Sequence, residues 1–151
     1  MTELENFRAQ KDDFFASHPQ SPLTAAQKRT FDGLRYFDEA SSLRLEVTAT
    51  PFPEREQIEI QTSTGDVRVY TRFARFQFSV DGQEAELTIY ETGHGFFLPF
   101  VDSLAGKETY PAGRYLDLEP LSDNRFLVDF NLAYSPYCAY NDKWSCPLTP
   151  F

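Results

Sequence analysis

The chain has 151 residues, a formal net charge of −9 at pH 7 and an aromatic content of 16%. One domain over residues 1–151 is the default at this length, and the abundant Phe and Tyr predict a core of large flat side chains. The acidic charge and the lack of a Lys/Arg cluster argue against nucleic acid and anionic membranes as partners. The sequence contains no run of about 18 apolar residues, which a membrane-spanning helix would need. The N-terminus also lacks a signal-peptide pattern, so we expect a cytoplasmic protein.

An N-terminal helix is predicted over residues 3–17, where apolar residues recur at helical spacing. These residues are Leu4, Phe7, Phe14 and Phe15. Lys11 interrupts this apolar stripe, so we expect its stem to pack against the fold and its ammonium to extend to solvent. Pro19 marks the end of the helix.

A second short helix is predicted from the stretch 21–27. Pro22 suits a first helical position, and Thr24 and Gln27 have the spacing of a capping box. Together with the apolar residues that follow, the two helices make up residues 1–37, which we expect to cover one end or edge of the fold.

From residue 43 the sequence changes to the period-two alternation of β-strands. Turn residues separate the alternating segments, with Asp81-Gly82 as the strongest hairpin signal and Ser122-Asp123-Asn124 as another turn. The strand-like segments are 43–48, 58–61, 67–69, 75–80, 85–89, 96–100, 115–118 and 126–130. This pattern predicts a mainly β fold, a single antiparallel β-sandwich or barrel of about eight strands over 43–130, with one or two N-terminal helices.

The last part of the chain, residues 131–151, loses this periodicity and is predicted to be an irregular segment that side chains, not strand pairing, hold in place. Just before it, Asp129 and Asn131 alternate with core-facing residues, so they point to solvent or into a cleft that this segment covers. With Tyr134 and Tyr140 they would form a polar pocket with aromatic walls. Such a pocket suits a small polar ligand.

A second group of polar residues lies in the stretch 106–115. The planar guanidinium of Arg114 suits a carboxylate or phosphate, so this stretch would bind a small anion. In the alternative interpretation Arg114 pairs with an acid in a packed loop. The combined candidate ligand-binding residues are Glu108, Arg114, Asp129, Asn131, Tyr134 and Tyr140.

The two cysteines, Cys138 and Cys146, have four interpretations. We favour buried thiols, because free Cys packs as a small apolar residue; a disulfide is disfavoured by a cytoplasmic setting. A zinc site completed by both His18 and His94 lacks the usual ligand spacing. A nucleophilic Cys138 assisted by His94 and Asp129 has only the required residue types. We therefore predict no metal ion and no cofactor.

Two late stretches of the chain are long and unusual in composition, GKETYPAGRYLDLE and DFNLAYSPYCAYNDKWSCPLTP. With the earlier FDGLRYF and TRFARFQFSVDGQEAELTIY, they closely resemble the bacterial and archaeal family catalogued as domain of unknown function 1684. The resemblance covers essentially the whole chain and implies no activity. The family pattern picks out the following positions here: Asp102, Gly106, Glu108, Thr109, Tyr110, Gly113, Arg114, Tyr115, Asp129, Asn131, Tyr134, Cys138, Tyr140, Cys146 and Pro147.

These observations favour a small-molecule-binding module whose pocket accepts a small polar or anionic ligand. One alternative is a hydrolase or transferase that uses Cys138 or a carboxylate. Another is a protein-interaction module, in which an exposed aromatic segment around Trp144 contacts a partner.

Overall fold

The computed structural model describes residues 2–40, 43–80, 82–93, 95–101, 113–141 and 146, with the backbone alone described at Val80 and Cys138. The predicted site residue Glu108 lies outside this part of the chain, as do His94 and Trp144. Among the described residues, no helix is long and apolar enough to cross a membrane.

The two N-terminal helices both begin at capping boxes. Helix α1 spans Glu3–Ser17 and helix α2 spans Ala25–Thr30. At the start of α2 the Thr24 hydroxyl accepts a hydrogen bond from the Gln27 N–H at 3.2 Å, and the Gln27 side chain accepts one from the Thr24 N–H at 2.8 Å. Because Thr24 is the N-cap, the helix starts after it. The expectation that Pro22 is the first helical residue is therefore wrong, and Pro22 lies fully buried ahead of the helix.

Eight antiparallel strands in the described part of the chain form one sheet. They are β1 (Arg44–Thr48), β2 (Thr50–Pro51), β3 (Gln57–Gln61), β4 (Val67–Val80), β5 (Gln83–Thr92), β6 (Gly95–Phe100), β7 (Arg114–Pro120) and β8 (Arg125–Asp129). Their order is β1-β8-β7-β6-β5-β4-β2, with β3 paired to β4. Since only Ala49 separates β1 from β2, the two ends of this order meet, and the sheet curves into a nearly closed barrel. The predicted mainly β fold of about eight strands is confirmed.

The turn between β7 and β8 has the backbone conformation that its residues favour. Asp123 and Asn124 have φ angles of 58° and 61°. Asp and Asn tolerate this left-handed region better than other side-chain-bearing residues, and two consecutive positive φ angles produce a tight hairpin. The Leu121 N–H donates to the Arg125 carbonyl at 2.8 Å across the turn, which confirms the predicted hairpin.

The inner face of the barrel is the hydrophobic core. Strand alternation points Leu116 and Leu118 inward on β7, and Ile89, Leu98 and Val128 on neighbouring strands are completely buried. Each fully buried aliphatic side chain of this kind stabilises the fold by roughly 1.5–3 kcal/mol. The inner face therefore provides the stability that holds the outer face in position.

The outer face of β6 and β7 is aromatic, and the chain that follows β8 returns to it. Phe97 and Tyr115 meet edge to face here, with ring centroids 4.8 Å apart. Tyr134 forms a β-bridge with Tyr115 through hydrogen bonds of 2.8 and 3.0 Å, and the Cys146 carbonyl accepts from the Ser63 N–H at 2.8 Å. The expectation that side chains alone hold the segment after β8 is wrong at these two backbone contacts.

Candidate functional site

Asp129 and Asn131 lie together at the end of β8 and bond to the chain before β1. The Asn131 amide donates to the Ala40 carbonyl at 3.0 Å and accepts from the Ala40 N–H at 2.8 Å. It also donates to Asp129 Oδ1 at 2.8 Å, while Asp129 Oδ2 lies 3.8 Å from Arg44 Nε. These bonds fix the approach of the chain to β1, so both side chains contribute to the positioning of the fold.

Arg114 lies on the inner side of β7, the side opposite to Tyr115. Its guanidinium carbon is 5.3 Å from the ring centroid of Phe100 and 5.6 Å from that of Phe37. Because side chains alternate along a strand, Arg114 shares its face with the core residue Leu116. The structure therefore places Arg114 at the end of the barrel interior, where its planar group stacks on aromatic rings.

Tyr140 packs against the N-terminal helices. Its ring meets Phe15 edge to face with a centroid distance of 5.0 Å, and its carbonyl accepts a hydrogen bond from the Gln27 side chain at 2.9 Å. Burial raises the pKa of the Tyr140 hydroxyl above its ordinary value. These contacts join the chain after β8 to α1 and α2.

Tyr134 lies on the outer side of the sheet. Its hydroxyl donates to Asp117 Oδ2 at 3.0 Å, and its ring meets Tyr115 edge to face at 5.8 Å. Burial raises the pKa of Tyr134 far above its ordinary value, and the negative charge of Asp117 raises it further. Tyr134 is thus separated by the sheet from Arg114, so the structure does not bring these two predicted residues into one cavity.

A groove lies between α1 and the outer face of β4, β6 and β7, and we name it the α1 groove. Its volume is about 550 Å³, within the range of roughly 300–1,000 Å³ that is usual for small-molecule sites. An adjoining cavity of about 800 Å³ shares Arg68, Tyr70, Phe97 and Asp117 with it. The α1 groove is lined by Phe7, Lys11, Arg68, Tyr70, Phe97, Tyr115, Asp117, Tyr134, Pro136, Tyr137 and Cys146.

The side chain of Lys11 extends from α1 into this groove. Its ammonium lies 4.9 Å from the ring centroid of Tyr134 and 6.0 Å from that of Phe15. With the residues that the structure describes, it forms no hydrogen bond and no ion pair within 4.0 Å. Burial lowers the pKa of Lys11 to about 8, although the negative charges of Asp12 and Asp117 act in the opposite direction. The ammonium is thus half-buried beside aromatic rings, and it is less exposed to solvent than the sequence pattern predicts.

The described lining of the groove carries more positive than negative charge. Lys11 and Arg68 are cationic, and Asp117 is the acidic side chain among the described lining residues. The Tyr134 hydroxyl donates a hydrogen bond to Asp117, which partly satisfies that carboxylate. This described part of the lining is thus cationic within a protein whose net charge is −9.

Cys146 is a buried thiol that lines the α1 groove. Its burial agrees with the favoured interpretation of packed thiols, and the disulfide interpretation stays a prediction. The side chains of Cys138 and His94 lie outside the described residues, so the nucleophilic trio that they would form with Asp129 stays a prediction. Among the described residues, no group of three or more His, Cys, Asp and Glu could hold a metal ion.

The sequence signal for the groove was the position of Lys11 within an apolar helical stripe. The charged group of a lysine in such a stripe can lie either at the edge of the buried helix face or inside a cavity. The choice depends on what covers the helix, and Tyr134 and Tyr137, which line the groove beside Lys11, come more than a hundred residues later in the chain. Periodicity within the helix carries no information about that distant segment.

Comparison with known proteins gives a family and a related structure. The family described as "Protein of unknown function (DUF1684)" matches residues 29–151. An uncharacterized protein of Haloarcula marismortui with a solution NMR structure is 39% identical; the alignment covers 98% of this chain and 84% of that one, with a TM-score of 0.73. No curated protein matches this chain significantly. Lys11 and the rest of α1 precede the residues that the family match covers.

Proposed function

Because the chain belongs to the DUF1684 family, whose description assigns no function, we propose a function from the α1 groove: it binds a small anionic molecule with an apolar or aromatic body. The observation that carries this proposal is the Lys11 ammonium, which is half-buried in the groove and has no hydrogen-bond acceptor among the described residues. A buried ammonium without an acceptor is destabilising. A bound carboxylate or similar anion would supply the acceptor.

The walls of the groove support an apolar body for the ligand. Tyr70 and Phe97 stack with a centroid distance of 5.7 Å and an angle of 25° between their planes, which presents broad apolar surfaces to the groove. Aromatic walls with a few placed polar groups are typical of small-molecule sites. A purely polar ion such as phosphate would leave this apolar surface in water, so we expect it to bind more weakly than an aromatic carboxylate.

The polar groups of the groove favour an anion over a neutral or cationic ligand. Lys11 and Arg68 attract negative charge, and the only opposing carboxylate in the described lining, Asp117, already accepts the Tyr134 hydroxyl. Perturbed ionisable groups in a cleft are candidates for functional sites, although structural ion pairs produce the same signal. The ion-pair explanation does not apply to Lys11, since no carboxylate of the described residues lies within ion-pair distance.

Ligand-observed NMR and thermal unfolding test this proposal with two molecules of similar shape. We expect benzoate to bind the protein and raise its Tm, and neutral benzamide to bind at least several-fold more weakly. The Lys11→Met variant keeps the apolar stem but lacks the charge, so it should lose the preference for benzoate. Arg114→Ala is the matched comparison on the inner side of the sheet, and it should retain that preference.

Two outcomes would contradict the proposal. The first is binding of benzoate that Lys11→Met leaves unchanged, and the second is loss of binding only in Arg114→Ala, which would favour the residues predicted from the sequence.

The cytoplasmic location expected from the sequence stays a prediction.

A further inference from the structure

We propose that Lys11 Nζ is a nucleophile that forms an imine with a small aldehyde or ketone bound in the α1 groove. This inference rests on the proposed function, because it requires that the groove admits a small molecule with an apolar body. It goes further in naming a carbonyl group as the part of the ligand that meets the amine.

The two carboxylates whose negative charge acts on Lys11, Asp12 and Asp117, accept hydrogen bonds from other groups of the protein. Asp12 Oδ1 accepts from the Leu34 N–H at 3.0 Å and from the Tyr36 hydroxyl at 2.9 Å, which directs this carboxylate toward the chain after α2. Asp117 Oδ2 accepts from the Tyr134 hydroxyl. Neither carboxylate therefore forms an ion pair with Lys11, and its amine is left among aromatic rings.

The charged and titratable groups that face Lys11 come from every element around the groove. Among the described residues they are Asp12 on α1, Arg68 and Tyr70 on β4, Tyr115 and Asp117 on β7, and Tyr134, Tyr137 and Cys146 after β8. The two carboxylates raise the pKa of Lys11, but burial outweighs them and lowers it to about 8. At pH 7 roughly a tenth of such amines are neutral, about 300-fold more than for an ordinary lysine. Desolvated lysines of this kind are the ones that form imines with carbonyl compounds.

The reaction balances without a further reagent. The lone pair of neutral Nζ forms a bond to the carbonyl carbon, and the carbonyl π electrons move to oxygen. A proton then passes from nitrogen to that oxygen and gives the carbinolamine. When the hydroxyl takes another proton from solvent, it leaves as water, and the nitrogen lone pair forms the C=N bond of a protonated imine.

Reductive trapping tests the proposal. The protein is incubated with benzaldehyde and cyanoborohydride at pH 7, and the sites of benzylation are located by peptide mass mapping. We expect Lys11 to be benzylated at least ten-fold faster than Lys28, which donates to the His18 carbonyl at 3.2 Å and serves as the internal control. Mapping also separates Lys11 from the α-amino group, which is reactive at this pH.

The Lys11→Arg variant separates this inference from the proposed function. Arginine keeps the positive charge but forms no imine under these conditions, so the variant should still bind benzoate while benzylation at position 11 disappears. In the native protein an excess of benzoate should slow benzylation of Lys11 and leave that of Lys28 unchanged. Equal rates at Lys11 and Lys28 would overturn imine formation even where benzoate binds. Fast benzylation of Lys11 that benzoate does not slow would instead support the nucleophile and count against the anion site.

Discussion

Replacing Lys11 with Met should stabilise the protein at neutral pH, and this gain should disappear as the pH rises. In the native state burial lowers the pKa of Lys11 from 10.5 to about 8. The unfolded chain therefore binds more protons than the folded chain between about pH 8 and 10.5, and the stability of the wild type rises with pH across this window. Below pH 8 both states hold the proton, so the full destabilisation by the buried ammonium is present.

The magnitude follows from the same values. At 1.36 kcal/mol per pH unit, lowering the pKa from 10.5 to about 8 corresponds to about 3 kcal/mol. Part of the side chain remains in contact with water, which screens its charge and reduces this figure to about 1–2 kcal/mol. Loss of the ring contact with Tyr134 opposes the gain by about 0.5–1 kcal/mol. We therefore expect Lys11→Met to raise the free energy of unfolding by about 1 kcal/mol at pH 7.

Urea unfolding followed by circular dichroism, at intervals from pH 6.5 to about pH 10, measures this difference directly. Lys28→Met is the matched control for the change of lysine to methionine, because Lys28 lies outside the described lining of the α1 groove and donates to the His18 carbonyl. Comparing each variant with the wild type at the same pH cancels the titration of groups that they share. A Lys11→Met variant that is less stable than the wild type at pH 7, or a difference that stays constant up to pH 10, would refute the account of a desolvated ammonium.

Three further changes have definite expected outcomes. Asn131→Ala removes the hydrogen bonds that the Asn131 side chain makes with Ala40 and Asp129 and should lower the free energy of unfolding by about 2–3 kcal/mol in urea titrations. Tyr134→Phe removes the hydrogen bond to Asp117 and should cost about 0.5–1.5 kcal/mol at pH 7. Since the folded-state pKa of Tyr134 is raised, the wild type should lose stability above pH 10 more steeply than this variant. In a Cys138→Ser background, Cys146 should react with a bulky thiol reagent much more slowly than it does in the unfolded chain, because its side chain is buried.

The sheet could be predicted because strand alternation is a local property. Leu116 and Leu118 alternate with Tyr115 and Asp117, and this short stretch shows both the strand and its two faces. The choice between a sandwich and a barrel could not be made locally. It depends on the pairing of β1 with β8, which lie at opposite ends of the predicted 43–130 β region.

For Asp129 and Asn131, the sequence could predict on which side of the strand the side chains lie, but not which groups they form hydrogen bonds with. Alternation correctly separates Asp129 from the core residue Val128, and the two polar residues Asp129 and Asn131 do lie together. Sequence could not show that Ala40 provides the backbone groups that Asn131 bonds to. A polar pair near a strand end has the same sequence signature whether it binds a ligand or the protein's own backbone.

Lys11 differs from Asp129 and Asn131, because its place in an apolar stripe is not explained by hydrogen bonds with the residues that the structure describes. A polar pair such as Asp129 and Asn131 satisfies its hydrogen bonds within the protein, so the fold alone accounts for its presence. The Lys11 ammonium has ring contacts but no hydrogen bond to the described residues, and we expect the apolar stripe of α1 to accept Met at this position with a gain in stability. Places where a local rule is broken at a net cost in stability are where function is expected. The urea-unfolding comparison of Lys11→Met with the wild type therefore also bears on function. If Lys11 destabilises the folded chain, the fold does not account for a lysine at this position, whereas ligand binding in the α1 groove does.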